Sequence, residues 1–401
     1  MYPHDIEAFR YGGPVRTRII AMSALAASAF CYVATETMPI GILSLIAGDL
    51  GVSRAAVGLL ITGYAVTVAI VTIPLTYGTR NIPRRRLLVA LLFALTVANL
   101  LSALAPTYGV LLAARLCAAL SQAIFWAVVA PVVAAMFDVT VRGRVSAVVF
   151  AGASLGPMLG VPAGAWLGQQ YGWRSAFLAL TGLALAAFIA LLAGMPDVRV
   201  AETHAATGTS PDARRYAVVV AVTTLSVAGL YTAFTYTEVF LTAVTGFAAA
   251  AVAPLLLARG LADFAGIAAG GYASDRWQRG AVTGSVLLVA AALIAQYAVG
   301  ESRPVTAVLL AVTGFGIGAL TPALQNRVLE VAPGSTDMAS AGNSVAFNVG
   351  IAGGSLLGAA VLSGPGARAT ALAGGLLALL ALLLFAAEPV IARRTPVTIR
   401  R

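Results

Sequence analysis

The sequence predicts an all-α membrane protein with twelve transmembrane helices in two pseudo-symmetric halves of six. Three observations carry that reading. The chain of 401 residues is 60% hydrophobic and only 10% charged, with a mean hydropathy of +0.93. Its apolar residues gather into twelve runs, each long enough to cross the ~30 Å hydrocarbon layer of a bilayer. The arginines between those runs fall overwhelmingly on alternate sides. A globular domain carries about 25% charged residues. A soluble chain this apolar has no means of covering its surface, whereas lipid is itself an apolar solvent.

The remaining composition narrows the class. The net charge is +10, and all 25 basic residues are arginine. They lie scattered between apolar runs, without the clustered patch and interleaved aromatics of a nucleic-acid surface, so no nucleic-acid partner is expected. Cys31 and Cys117 sit inside apolar runs with no Cys-x-x-Cys or Cys/His spacing. They read as packing residues, and neither a metal nor a cofactor is expected. His4 and His204 lie in polar segments and do not read as ligands. Residues 1–18 precede an apolar run too long for a signal peptide's core, so that run reads as a retained span.

The spans fall at about 17–40, 54–78, 87–105, 108–137, 144–169, 172–195, 216–243, 247–273, 280–299, 304–330, 338–363 and 367–391. Several exceed the ~20-residue minimum, which implies tilt or extension beyond the lipid. With both termini placed inside, nineteen of the arginines fall in inside segments and four outside. The other two, Arg115 and Arg259, lie within spans. Positive residues collect on the cytoplasmic side, so both termini are expected there, in the cell membrane. The longest polar segment, 196–215, is rich in Pro, Thr, Ser and charge and reads as a flexible cytoplasmic linker. It separates an N-terminal half, 1–195, from a C-terminal half with a short tail, 216–401. The halves echo each other, since spans 5 and 11 are both Gly-rich and both follow a short polar loop. Repeats of this kind build alternating access, with the substrate held at mid-membrane.

Motifs sharpen the assignment. Span 5 carries Gly152-Ala-Ser-Leu-Gly156-Pro157-Met-Leu-Gly160, and span 4 carries Arg115. Gly271-Tyr-Ala-Ser-Asp275-Arg276-Trp follows span 8. Together with the six-plus-six arrangement, these resemble the major facilitator superfamily. The span-5 motif and Arg115 look like those of its drug–proton antiporter branch. Within that branch the chain is similar to the sugar-efflux group of the SotB type and to chloramphenicol exporters. The matching residues are Thr35-Glu36 with Pro39-Ile-Gly-Ile-Leu on span 1, Ala123-Ile-Phe-Trp126 on span 4 and Gly172-Trp173-Arg174 before span 6. Tyr231-Thr-Ala-Phe-Thr-Tyr-Thr-Glu238 on span 7 and Phe347-Asn348-Val-Gly-Ile on span 11 complete the match, which covers nearly the whole chain. The loop after span 2 keeps its basic cluster, Arg84-Arg85-Arg86, but lacks the superfamily's Asp. Gln122 stands where the sugar-efflux relatives would carry His. The resemblance implies a monomeric, non-enzymatic secondary transporter.

Ionisable residues inside a membrane are costly and are functional candidates by default. Glu36 can take a proton from outside and release it inside, with Arg115 as a fixed counter-charge. The alternative is a buried pair that only fixes helix packing. Glu238 reads either as a carboxylate at the outer end of the cavity or as an interfacial residue. Arg259 and Asp263 are four residues apart on one helix. They are expected to neutralise each other, with Asp263 kept as a candidate for proton coupling. Residues that join an apolar face to a polar tip are candidates for the substrate cavity: Tyr32, Tyr64, Gln122, Trp126, Tyr231, Tyr236, Asn343, Phe347 and Asn348. Each is also ordinary helix packing or an interfacial anchor when taken alone. Gly152, Gly156, Gly160, Gly164 and Gly168 form one bare stripe, with Pro157 and Pro162 as kinks. That stripe serves either as a hinge or seal between halves or as a close packing face. Arg84, Arg85, Gly271, Asp275 and Arg276 complete the candidate gating motifs.

No phosphate-binding Gly-x-x-x-x-Gly-Lys-Ser/Thr occurs, so an ATP-driven pump is not expected. Neither His-Glu-x-x-His nor Gly-x-Ser-x-Gly is present. The expected activity is proton-coupled efflux of a small organic molecule, a drug or a sugar. The alternative is a facilitative or proton-coupled uptake permease for a small metabolite.

Overall fold

The computed structural model describes residues 15–79, 81–136, 142–196, 210–334 and 336–392. Most of the expected linker, Arg80, both histidines, the arginines of the C-terminal tail and the side chain of Asp275 lie outside the described residues. Two compact units result. One comprises Met1–Thr203 with Val252–Leu257, the other His204–Ala251 with Ala258–Arg401.

Eleven described helices are long and apolar enough to cross a membrane. The twelfth span is present but broken. Span 5 runs as Arg142–Leu155, one π turn over Gly156–Gly160, and Val161–Tyr171. Pro157 and Pro162 explain the break, because each removes a backbone donor and presses its ring on the preceding turn. The sequence predicts one helix kinked at these prolines, and the segment loosens into a π turn there before continuing as helix.

In the first unit, span 1 is helical over Val15–Thr37 and then tightens into a 3-10 turn at Met38–Ile40. A short helix, Leu43–Leu50, follows and ends on Gly51 in the left-handed conformation. Ser53 caps Arg54–Gly78 by accepting from the Ala56 N–H. Arg84–Ala103, Tyr108–Met136 and Trp173–Gly194 complete the unit. Span 1 packs on spans 5 and 6, span 3 on spans 4 and 6, and span 2 on span 4.

In the second unit, Asp212 caps Ala213–Phe234 by accepting from the Arg214 and Arg215 N–H groups. Span 7 then breaks at Thr235-Tyr236, resumes over Thr237–Val239 and passes through a π turn at Phe240–Val244. The sequence predicts a single span over 216–243, and like span 1 it is interrupted near its own C-terminal end. Spans 8 and 9 are two helices within Ala249–Val299, joined by a tight kink at Trp277, whose φ of −139° and ψ of 61° are not helical. The expected loop at 274–279 is tightened to this kink, and the Gly271–Arg276 motif runs into it. Arg303–Val331, Thr336–Ser363 and Ala367–Ala392 follow. Span 7 packs on spans 10, 11 and 12.

Glycine governs how closely these helices meet. A Cβ at Gly152 would collide with the Ala26 backbone, and one at Gly156 would lie 2.9 Å from Val33 Cβ. Gly160, Gly164 and Gly168 face Ala34, Met38 and Ile42 in turn. The bare stripe of span 5 is thus a seat for span 1 within one unit. Span 11 repeats the device, with Gly350, Gly354 and Gly358 against Val227, Ala228 and Tyr236 of span 7.

Candidate functional site

The interruption of span 1 builds the centre of the first unit. In a continuous helix, the residue-39 N–H would bond to the Thr35 carbonyl. Pro39 has no N–H, so that carbonyl is left without its helical partner in an apolar layer. Arg115, from span 4, supplies the missing donor. Its Nη1 donates to the Thr35 carbonyl at 2.8 Å and its Nη2 to the Glu36 carbonyl at 2.9 Å. The guanidinium is fully buried and lies 5.2 Å from the Tyr64 ring centre, within the range of a cation–π contact.

Glu36 is also buried, but its carboxylate makes no ion pair with Arg115. Gln122 Nε2 donates to Glu36 Oε2 at 2.7 Å, and the Tyr64 hydroxyl donates to Gln122 Oε1 at 2.8 Å. Glu36 Oε1 has no hydrogen-bond partner. Four sequence-predicted residues, Glu36, Arg115, Tyr64 and Gln122, therefore form one connected network. Tyr32 and Trp126 flank it through Phe125, with ring centres at 4.6 and 5.3 Å respectively. The Tyr32 hydroxyl donates to the Leu91 carbonyl. Asn99, not singled out from the sequence, is fully buried and hydrogen-bonded to the Thr35 hydroxyl.

The second unit groups its candidates differently. Tyr231 packs edge-on to Phe234, and the buried Arg259 guanidinium stacks 3.7 Å from the Phe234 ring centre. Arg259 and Asp263 stand one turn apart on span 8 and interact through their charges without closing to ion-pair contact. The aromatic face holds the guanidinium instead. Tyr236 is fully buried and donates to the Ser355 carbonyl. Asn343 accepts from Thr223 at 2.8 Å and donates to Gln325 at 3.2 Å, which ties spans 7, 10 and 11 together. Asn348 donates to the Ser344 carbonyl of its own helix, and Phe347 is half-buried. Glu238 is half-buried in the short turn Thr237–Val239.

At the ends of the spans, Arg85 donates to the Leu192 carbonyl, Arg84 is half-buried and Arg276 stacks on Tyr272. Asp49 accepts from both Trp173 Nε1 and Arg174. Those donors, Arg174 first, hold its carboxyl below the ordinary range. A larger charge cluster was not anticipated from the sequence. Glu388 of span 12, 1% exposed, is ion-paired with Arg327 of span 10 and with Arg279 of span 9 at 3.4 Å. Arg327 also pairs with Glu330 at 2.7 Å. Glu388 lies inside the predicted twelfth span, and that position was the signal for it. Among the described residues no group of His, Cys, Asp and Glu is arranged to hold a metal.

Comparison with known proteins agrees with this architecture. The Major Facilitator Superfamily model matches residues 25–336 and 255–400. A chloramphenicol efflux pump of Mycobacterium tuberculosis H37Rv is 35% identical over 349 residues, covering 84% of each chain. A probable sugar efflux transporter of Helicobacter pylori P12 is 32% identical over 88% of this chain and 91% of its own. Among solved structures, a bacterial homologue of the human lysosomal transporter Spinster, inward-facing and unoccupied, superposes with a TM-score of 0.75. It covers 95% of this chain and 98% of its own at 15% identity, a likeness of fold. A membrane protein of twelve spans with these relatives belongs to the Major Facilitator Superfamily.

Proposed function

We propose that this transporter exports a small organic molecule in exchange for protons, by alternating access, with Glu36 as the proton-carrying group. One observation carries the reading. A carboxylate sits fully within a membrane span, held through one oxygen by Gln122, while the nearest cation is engaged by backbone carbonyls instead. Such a group is not locked in a salt bridge, so it is available to gain and lose a proton as access changes. Arg115 keeps its charge throughout and holds the broken helix beneath Glu36. The names of the efflux relatives support a drug such as chloramphenicol, or a sugar, as the exported molecule. The cell membrane and cytoplasmic termini follow from the arginine bias.

The test is transport in proteoliposomes of known orientation, with labelled chloramphenicol and a labelled pentose, with and without an imposed pH gradient. Gradient-driven accumulation is expected in the wild type. Glu36→Gln is expected to lose it while keeping exchange down the substrate's own gradient. Undiminished uphill transport by that variant would remove Glu36 from the mechanism. Wild-type movement that follows only the substrate's own gradient would favour a facilitative permease.

A further inference from the structure

Three arginines are buried in the described part of the molecule: Arg115, Arg259 and Arg327. Two are accounted for. Arg115 bonds to two carbonyls, and Arg327 pairs with two carboxylates. Arg259 is 5% exposed, yet among the described residues it makes no hydrogen bond or ion pair. A guanidinium has five N–H donors and cannot shed its charge. Burying one without acceptors is costly, and an acceptor is therefore expected at its edge. Its nitrogens are not sealed among apolar atoms, since each keeps some accessible surface.

The surroundings say what that acceptor should look like. One face of the guanidinium is covered by the Phe234 ring at 3.7 Å. The in-plane N–H edge is left for a ligand, and that edge favours a flat group offering two oxygens side by side. Asp263, one turn further along the helix, offsets the positive charge beyond contact range, which favours a neutral acceptor over an anion. The backbone at this point is firmly placed. Gly314 and Gly318 of span 10 press against Arg259 and Asp263, and a Cβ at Gly314 would lie 2.9 Å from Arg259 Cγ. Two bare glycines thus hold the crossing of spans 8 and 10 close.

We propose that Arg259, stacked on Phe234, is a binding site for a neutral ligand that carries a planar, acceptor-rich group such as an aromatic nitro or a conjugated carbonyl. The site deepens the export reading, on which it rests, by naming a chemical class of exported molecule.

The experiment uses the full chain in lipid nanodiscs and follows phenylglyoxal labelling of individual arginines by mass spectrometry. Phenylglyoxal is itself a flat aromatic dicarbonyl. Arg259 is expected to label well ahead of Arg115 and Arg327. Para-nitrobenzyl alcohol is expected to protect Arg259 at about tenfold lower concentration than benzyl alcohol, the effect of roughly one charge-assisted hydrogen bond on Kd. Benzyl alcohol, with the same ring and no nitro group, is expected to protect little. Failure of Arg259 to label, or equal protection by the two alcohols, overturns the site. Uphill chloramphenicol export is measured alongside for the wild type, Arg259→Met and Arg259→Lys. Absence of wild-type export sinks the export reading, and the labelling still decides the site. Full export by Arg259→Met overturns the site while leaving the export reading intact. Reduced apparent affinity in both variants, with the transport rate at saturation kept by Arg259→Lys, supports the site.

Discussion

Arg115 donates to the Thr35 carbonyl, the one acceptor that Pro39 cannot engage for want of an N–H. The two residues lie on different spans and complete one hydrogen bond between them. Arg115→Met is expected to leave two carbonyls of span 1 unsatisfied at membrane depth. Each buried, unmade bond costs about 1–3 kcal/mol, so a marked loss of thermal stability in detergent is expected. Pro39→Ala restores an N–H at position 39 and lets the helix close on Thr35. The cost of Arg115→Met should therefore fall by about 1 kcal/mol in the Pro39→Ala background. Strictly additive losses in this double-mutant cycle would show that Arg115 does not substitute for the missing N–H.

The glycine seats give a second prediction. Gly152→Ala places a methyl group on the Ala26 backbone, and Gly354→Ala places one on the Ala228 backbone. Neither neighbour can give way without moving a helix. Each substitution is expected to cost about 1–3 kcal/mol, the usual penalty of overpacking. Gly182→Ala is the control, because nothing lies within 4 Å of a Cβ there. Melting curves of the three purified variants check this, and a silent Gly152→Ala would count against the close seat of span 5 on span 1.

Much of this architecture is legible in the amino-acid sequence. Hydropathy gives the twelve spans, because a membrane demands long apolar helices and little else. Glu36, Arg115 and Gln122 stand out because polar groups at membrane depth are rare. The partners were less legible. Glu36 and Arg115 are the obvious opposite charges, yet the arginine serves the backbone and Gln122 serves the carboxylate. That exchange depends on a carbonyl freed by Pro39, which appears in no pattern of charged residues. Likewise Arg259 and Asp263 have pairing spacing, but Phe234 comes from another helix and takes the guanidinium. The breaks at Gly156–Gly160 and Thr235-Tyr236 are local backbone events inside runs whose hydropathy never falters.

The Glu388 cluster yields a third prediction. Arg327→Met leaves Glu388, buried and 1% exposed, with only the more distant Arg279. Breaking one side of a buried pair costs about 3–5 kcal/mol, because the remaining charge loses its compensation. Replacing both partners, as Arg327→Met with Glu388→Leu, removes the charge along with its partner. The double variant is expected to be more stable than Arg327→Met alone, as measured by thermal unfolding in the same detergent. A double variant no more stable than the single one would show that the cluster contributes through its shape rather than its charges.

Asp49 and Arg174 form an exposed, pH-sensitive ion pair in the first unit. The hydrogen bond from Arg174 holds the Asp49 carboxyl below its ordinary range, with Trp173 adding a second donor. A depressed folded-state pKa means that ionised Asp49 favours the folded form above the unfolded value of about 3.9. That contribution fades as pH falls through the still lower folded value. Both side chains are well exposed, at 38% and 47%, so solvent screening keeps the contribution small. Asp49→Asn is therefore expected to melt slightly below the wild type at neutral pH. The gap should narrow as the medium is acidified below about pH 4. High salt should narrow it too, because exposed charges are screened. A gap that held constant from neutral to acid pH would show that the Asp49 charge is not its source, since an asparagine side-chain oxygen still accepts from the indole but carries no charge to titrate.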